Sequence, residues 1–345
     1  MVGELRKAKR RGLEDDQVCG MAEQQRTLLA DHKVPIIDIA HITKDLVCPV
    51  KSCTRLAAQK LHKALIEKGF ALLVNHGIRE HKLQGAYCKL DTFCTLPDDQ
   101  KQKYVSHQDI MGYRDPGKKT IGRLHEYKHV VNIKELDEGL LPDAEVPGFT
   151  KVIGSVVDDF ISLAAIILQF IAIGCGLSPN YFLEHHKQLL SEEDETYFQM
   201  VYYPPMDDCK PCNEMTSIEK YDMGTFTIIS QDSEIGLEIL EGNKWVQIGY
   251  LPGSLLLRAG ERLHKWTGGV YKPSCYRLTV PDDTNTLARS RHCSLLYVDP
   301  AKTTVIKPID IIFKEFQPYQ GQQKQYCSLI RAYHYVQRRI RQLCR

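Results

Sequence analysis

The sequence predicts an α+β protein in which a helical N-terminal part packs against a sandwich or barrel of short β-strands. Apolar residues at helical spacing are concentrated before residue 195. After that point, short apolar or alternating runs are separated by Pro, Gly and Asn, which is typical of an all-β sandwich or barrel. The 345 residues are 43% hydrophobic and 26% charged, a composition that supports a sizeable globular core.

Charge and composition exclude several function classes. The chain has 45 Lys and Arg against 43 Asp and Glu, and this net charge of +2 does not favour nucleic acid as a partner. The longest apolar stretch, residues 160–175, is too short for a bilayer and contains Gln169, so we expect a buried helix and no membrane association. The 12 Cys without a signal peptide indicate reduced thiols and a cytoplasmic protein. The basic cluster at residues 6–11 leaves nuclear targeting open.

The first part of the chain divides into a flexible basic tail at residues 1–33 and a helical part with the first strands at residues 34–195. Residues 34–39 are strand-forming, with a proline that an edge strand tolerates. Residues 54–68 place alanines and leucines on one helical face, and Gly69 stands where that helix would end. Further elements are predicted at 70–74 (strand) and at 81–94, 158–175 and 181–190 (helices).

The second part is predicted to form a β-rich core at residues 196–300, followed by a C-terminal extension at 301–345. In the extension, Leu329, Tyr333, Val336 and Ile340 are spaced as on a helix, which predicts a docked terminal helix. The core strands are predicted at 197–203, 225–229, 237–240, 244–248, 254–257, 274–280 and 293–298.

Several motifs occur in an order that carries a family resemblance. They are Gly69-Phe70 with Asn75-His76-Gly77-Ile78, Tyr203-Pro204-Pro205, Asp222-Met223-Gly224-Thr225, Trp266-Thr267-Gly268-Gly269 and Cys275-Tyr276-Arg277-Leu278. Together they closely resemble the iron(II)- and 2-oxoglutarate-dependent dioxygenases, specifically the isopenicillin N synthase-like branch, over roughly residues 34–300. The resemblance implies that residues 196–300 form a double-stranded β-helix (jelly roll) core.

The resemblance also implies a metal site made of two His and one carboxylate, and the chain departs from it at two of three positions. Asp222 is the remaining family ligand, while Lys220 and Tyr276 occupy the two His positions. An ammonium group has no lone pair for a metal, and a phenol near neutral pH is mostly protonated. We therefore expect impaired iron(II) binding, with Lys220 paired to Asp222 and Tyr276 hydrogen-bonded to either of them.

Three histidines are alternative candidates near these motifs. His264 and His292 are weighed as replacement ligands against a surface histidine and an outward-facing strand residue, respectively. His76 is interpreted as a turn histidine.

The cosubstrate site that the resemblance implies is better preserved. The family's Arg-x-Ser strand corresponds to Arg291-His292-Cys293, and its strand-end tyrosine corresponds to Tyr203. An arginine binds a carboxylate with two hydrogen bonds, so we expect 2-oxoglutarate or a similar carboxylate at Arg291, Cys293 and Tyr203, with a looser contact because a thiol is a weak donor. A surface or ion-paired arginine is the alternative for Arg291.

The pair Cys209 and Cys212 forms a C-x-x-C pattern with no second ligand pair in sight, so we interpret it as a loop without a metal or redox role.

Two functions follow, and we assign no catalytic residue. The first is a dioxygenase-like protein with impaired or lost metal-dependent catalysis, which binds a small carboxylate or a protein partner. The alternative is an active oxidoreductase that couples oxidation of a small molecule to 2-oxoglutarate decarboxylation through Asp222, Tyr276 and an unidentified ligand. A third reading, a structural interaction protein, uses the basic termini at residues 6–11 and 338–345 as contact surfaces.

Overall fold

The structure is a computed structural model that describes residues 34–40, 52–105, 111–115, 128–137, 139–206, 220–233, 235–241, 243–279, 284–309 and 330–331. Its α-helices are α1 (Ser52–Glu67), α2 (Glu80–Cys94), α3 (Asp98–Lys101), α4 (Phe149–Gly174), α5 (Glu261–Trp266) and α6 (Thr284–Leu287). Its strands are β1 (Ile36–Asp38), β2 (Phe70–Val74), β3 (Gly112–Arg114), β4 (His129–Ile133), β5 (Tyr197–Tyr203), β6 (Lys220–Tyr221), β7 (Phe226–Gln231), β8 (Leu237–Glu241), β9 (Lys244–Gln247), β10 (Ser254–Ala259), β11 (Cys275–Leu278), β12 (Arg291–Val298), β13 (Val305–Ile306) and β14 (Ile330–Arg331).

Two β-sheets build the predicted jelly roll. The larger one has eight strands in the order β1-β2-β10-β7-β12-β5-β4-β3, and the smaller one has four in the order β6-β11-β8-β9. All neighbouring strands in these two sheets are antiparallel except the parallel pair β1 and β2. Strands from both predicted parts of the chain therefore share one sheet, so the boundary at residue 195 does not separate two cores.

Alternation along the strands gives the larger sheet two different apolar faces. On β12, Cys293 and Leu295 belong to the cluster between the two sheets, which we call the barrel interior. Leu296 and Val298 on the same strand pack in the cluster that contains the helices, which we call the helical face. A residue's position along a strand thus decides which of the two environments its side chain enters.

Helix α4 forms the centre of the helical face. It is long and apolar enough to cross a membrane by composition, but 14 of its 26 residues are buried within the protein, as expected for a core helix. The sequence predicted a start at residue 158, nine residues too late. The carboxylate of Asp143 accepts a hydrogen bond from the Thr150 N–H (3.1 Å) and so stabilises the first turn of α4. Asp143 itself precedes the helix, so the apolar repeat of α4 does not include it.

The predicted helix at residues 181–190 is wrong, because the segment contains only turns and the 3₁₀ turn Leu183–His185. The imidazole of His186 contacts the Phe182 carbonyl oxygen (2.7 Å) and the Thr225 hydroxyl (2.9 Å). With its ring anchored to the barrel, His186 leaves the helical conformation, and the helix does not continue.

Near the C-terminus, the two described residues of the predicted terminal helix form a strand instead. Ile330–Arg331 pairs antiparallel with Val305–Ile306, so backbone pairing replaces helical hydrogen bonds at these residues. The rest of that predicted helix, the basic tail and the pair Cys209 and Cys212 lie outside the described residues.

The other predicted elements agree with the structure at their centres. Every predicted core strand is present, although several ends shift by one or two residues. The sequence missed β3 and β4, which extend the large sheet at one edge, the two-residue strands β6 and β13, and the short helices α3, α5 and α6. Gly69 has a φ of 79°, as expected for the glycine that ends α1.

Candidate functional site

The three positions that align with a metal triad come together at one end of the barrel. Lys220 on β6 lies directly opposite Tyr276 on β11, and Asp222 follows immediately after β6. This register places the two substituted positions on neighbouring strands, as the resemblance implies.

The predicted pair between Lys220 and Asp222 is wrong. Lys220 is exposed to solvent, whereas the Asp222 side chain is only 3% exposed and forms a salt bridge with Arg258 (2.8 Å between Oδ2 and Nη2). An ammonium group is strongly hydrated, so it remains in water when a buried guanidinium already compensates the carboxylate.

Arg258 enters the barrel interior from β10. It lies two residues after Leu256, which belongs to the interior cluster, while Leu257 between them belongs to the helical face. Its guanidinium carbon is 3.6 Å from the centroid of the Tyr276 ring, a cation–π contact. The signal that could have revealed this residue is a lone arginine at an inward position of an apolar strand.

The hydroxyl of Tyr276 completes this cluster, because it interacts with both Asp222 and Arg258. This contact confirms the predicted hydrogen bonding of Tyr276. Burial, together with the negative charge of Asp222, raises the pKa of Tyr276 above its ordinary value. In the metal-free protein the side chain is therefore a neutral phenol.

These donors do not fit an iron(II) ion. The Asp222 carboxylate is compensated by Arg258, Lys220 has no lone pair in its charged form, and Tyr276 keeps its proton. Among the described residues, no group of three His, Cys, Asp or Glu side chains is arranged to hold a metal ion.

The three candidate histidines, His264, His76 and His292, each lie in a different environment. The ring of His264 contacts the Tyr271 carbonyl oxygen (2.6 Å). His76 accepts a hydrogen bond from the Ile78 N–H (3.2 Å), so its interpretation as a turn histidine is confirmed. His292 alternates with the interior residues of β12 and points out of the barrel, so its interpretation as an outward-facing strand residue is confirmed, although the ring is buried against the helical face.

Two further donors face the barrel interior next to Arg258. Thr227 on β7 is directly opposite Arg258 in the sheet register. The Arg258 Nε and the Thr227 hydroxyl are both buried and have no hydrogen-bond partner within the described part of the chain. A water or a ligand oxygen that accepts from both groups fits this chemistry.

The predicted carboxylate site is assembled at the start of β12. Arg291 pairs in register with Tyr203 on β5, and its guanidinium carbon is 5.1 Å from the Tyr203 ring centroid. Arg291 is only 1% exposed, so the alternative of a surface arginine is wrong. Cys293, the next interior residue, interacts with the Tyr203 hydroxyl, and burial raises the pKa of its thiol to about 12. The three predicted residues thus lie together as neutral or cationic donors, which suits an anionic ligand.

Two surface cavities are lined by other residues than Arg291, Tyr203 and Cys293. One of about 730 Å³ is lined by residues that include Tyr181, His185 and Val305. The other, of about 230 Å³, is lined by residues that include Tyr87 and Asp232.

Comparisons with known proteins agree with the geometry. The model described as "non-haem dioxygenase in morphine synthesis N-terminal" matches residues 34–147, and the model of the 2OG-Fe(II) oxygenase superfamily matches residues 195–305. The chain is 27% identical to gibberellin 20 oxidase 3 from Arabidopsis thaliana over 83% of this chain and 74% of that protein. It is 26% identical to codeine O-demethylase from Papaver somniferum over 72% of this chain and 68% of that protein.

Solved structures show the same fold. A 2OG-Fe(II) oxygenase family protein from Caulobacter crescentus superposes with a TM-score of 0.75 at 21% identity, covering 90% of this chain and 99% of that one. A full-length Neurospora crassa protein in complex with alpha-KG superposes with a TM-score of 0.72 at 18% identity, covering 89% and 96%.

Proposed function

Because the chain belongs to the 2OG-Fe(II) oxygenase superfamily, we propose that it keeps the fold's carboxylate site but has replaced the metal with the guanidinium of Arg258. In this proposal the protein binds 2-oxoglutarate or a similar small carboxylate and performs no iron-dependent oxidation.

The observation that carries the proposal is the buried salt bridge between Asp222 and Arg258. The guanidinium of Arg258 supplies Asp222 with the positive charge that a bound metal ion would otherwise provide. It also supplies N–H donors with fixed directions. Removing one partner of a buried ion pair costs about 3–5 kcal/mol, so an incoming iron ion must displace a strongly held group. The two absent histidines leave that ion without the nitrogen ligands that would offset this cost.

Support for carboxylate binding comes from the other end of the barrel. Arg291 offers a planar pair of donors, and the Tyr203 hydroxyl and Cys293 thiol lie beside it. Binding of alpha-KG by the Neurospora crassa relative is consistent with this assignment.

Anaerobic titration of Fe(II), with and without 2-oxoglutarate, tests the loss of the metal. The natural chain is compared with Lys220→His plus Tyr276→His, and with the same pair plus Arg258→Asn to release Asp222. We expect iron binding only in the variants, and tighter binding in the triple variant. The matched control adds Asp222→Asn to the triple variant and should abolish binding. Stoichiometric iron on the natural chain, strengthened by 2-oxoglutarate, would overturn the proposal.

An active oxidoreductase is the second candidate, and it is favoured by the survival of Asp222 and of the Arg291 site in the same barrel. This function requires succinate release from 2-oxoglutarate in the presence of iron and oxygen. Release above that of an Asp222→Asn control would support the enzyme, and equal release would support the metal-free protein.

A further inference from the structure

We infer that His292, held between Asp91 and Asp232, positions Arg291 for carboxylate binding and makes that binding sensitive to alkaline pH. This inference rests on the proposed carboxylate site and adds a regulatory element to it. We call the three residues the His292 clamp.

The clamp joins three elements of the fold. The His292 Nδ1 lies 2.6 Å from the Asp232 carboxylate, just after β7, and its Nε2 lies 2.8 Å from the Asp91 carboxylate on α2. The Asp232 carboxylate also accepts a hydrogen bond from the His292 backbone N–H (2.9 Å). With a carboxylate on each ring nitrogen, both nitrogens act as donors, which requires the imidazolium form.

Aromatic rings enclose the imidazolium on the helical face. The Tyr87 ring of α2 stacks on His292 with centroids 5.0 Å apart, and the Tyr202 ring of β5 lies at 5.5 Å. The His292 side chain is only 5% exposed, while that of Asp91 is 39% exposed. The clamp is therefore a buried cation that opens to solvent on its Asp91 side.

The position of His292 in β12 connects the clamp to the carboxylate site. His292 lies between Arg291 and Cys293, whose side chains enter the barrel interior on the opposite face. Because the clamp fixes both the ring and the backbone N–H of His292, it fixes the strand segment from which both ligand-binding side chains project. Loss of the Asp91 contact removes the hold of α2 on this segment, while its pairing with β5 remains.

The charge of His292 supports this role. Burial by itself lowers the pKa of His292, but the hydrogen bonds from Asp232 and Asp91, together with their charges, outweigh it and raise the pKa to about 9. His292 therefore loses its proton, and with it one carboxylate contact, in a mildly alkaline range.

The other titratable groups around the clamp do not change charge in that range. Burial lowers the pKa of His129 on β4, which packs on Tyr202, to about 4. Burial raises the pKa of Tyr87 and Tyr202 above their ordinary values, and that of Cys293 to about 12. The charged groups beside the ring are the two carboxylates of the clamp, Asp91 and Asp232, and its chain neighbour Arg291, and we assign the switch to His292.

The test is calorimetric titration of glutarate and 2-oxoglutarate into the metal-free natural chain, with chelator, between about pH 7.5 and about pH 10. We expect affinity to fall about tenfold across this range. Asp91→Asn should weaken binding at the lower pH and move the loss of affinity to lower pH. A pH-independent affinity, or an unchanged profile in Asp91→Asn, would overturn the inference.

Asp159→Asn is the matched control. Asp159 forms a salt bridge with Lys82 (2.7 Å) that ties α2 to α4 without touching β12. This variant removes an ion pair of the same helix, so it should keep the natural pH profile if the clamp acts through His292 and not through general loosening of α2.

An NMR titration separates failure of the inference from failure of the proposed function. The Arg291 Nε–H signal should shift as the His292 ring loses its proton, even without ligand. If no carboxylate binds at any pH, the carboxylate proposal fails, while this coupled shift still supports the positioning of Arg291. An Arg291 signal that ignores the His292 titration would contradict the positioning role.

Discussion

Asp222 keeps its carboxylate in the barrel interior, and Arg258 supplies its compensating charge at 2.8 Å. The aromatic face of Tyr276 covers the guanidinium and limits its exchange with water. At the scale of single residues, the charge of Asp222 is thus compensated within the protein, without an ion.

Arg258→Leu should lower the free energy of unfolding by about 3–5 kcal/mol, because it leaves a buried carboxylate without a counter-charge. The double variant Arg258→Leu plus Asp222→Asn should recover a large part of this loss, since the uncompensated charge is gone. Urea denaturation of the three proteins measures both effects. A single variant within about 0.5 kcal/mol of the natural chain would show that Asp222 does not depend on Arg258.

At the residue scale, the family motifs predict that Arg291, Tyr203 and Cys293 lie together, whereas no motif indicates Arg258 as the partner of Asp222. Asp222, Arg291, Tyr203 and Cys293 follow from motif order, and the structure brings the last three together. Proximity along the chain favours Lys220, two residues away, as the partner of Asp222. Arg258 belongs to a distant strand, and only closure of the barrel brings it to Asp222.

At the scale of elements, α4 shows why local periodicity gives incomplete boundaries. Its apolar repeat continues to the end of the helix, but its first turn depends on the Asp143 carboxylate, which lies outside the repeat. The helix expected at residues 181–190 fails for a related reason, since His186 bonds across to Thr225 on the barrel.

Asp143→Ala should destabilise the protein by about 1 kcal/mol, the usual cost of removing a side-chain acceptor from the first turn of a helix. Asp158→Asn, on the exposed side of the same helix, is the control and should change the free energy of unfolding by less than about 0.5 kcal/mol. Denaturant titration compares the two; equal effects would contradict the capping role.

The His292 clamp predicts a pH dependence of the docking of α2 on the barrel. The folded pKa of about 9 lies above the ordinary 6.5, so the clamp's contribution to stability is complete below about pH 6.5 and disappears as pH rises through about 9. The full difference corresponds to about 3 kcal/mol. Unfolding free energies measured across this range should fall in the natural chain and stay nearly flat in His292→Gln. A natural chain of constant stability would contradict the prediction.

At the scale of the whole molecule, the two faces of the large sheet have separate tasks. Its helical face holds the core that stabilises the fold, and its interior face carries Arg258 and Arg291 at different positions along the barrel. The fold class was predictable from strand spacing and motif order, because alternation is a local property. The sharing of one sheet by both halves of the chain was not, because strand pairing between distant segments leaves no local signal.

A ligand held by Arg291 should stabilise the whole chain. Glutarate at about 100 times its dissociation constant should add about 2.7 kcal/mol and raise the melting temperature by about 3–5 °C in the presence of chelator. Arg291→Leu should remove this increase. Arg277→Leu is the control, because Arg277 is a partly exposed arginine paired with Glu238 (2.5 Å) on the smaller sheet. Loss of the increase in the control as well would contradict a specific role for Arg291.

The measurement that tests the central claim most directly is the iron content of the natural chain after anaerobic incubation with Fe(II) and 2-oxoglutarate. Replacement of the metal by the Arg258 guanidinium predicts iron far below one ion per chain, together with stoichiometric iron in the Lys220→His, Tyr276→His and Arg258→Asn triple variant. One tightly held iron per natural chain would contradict it.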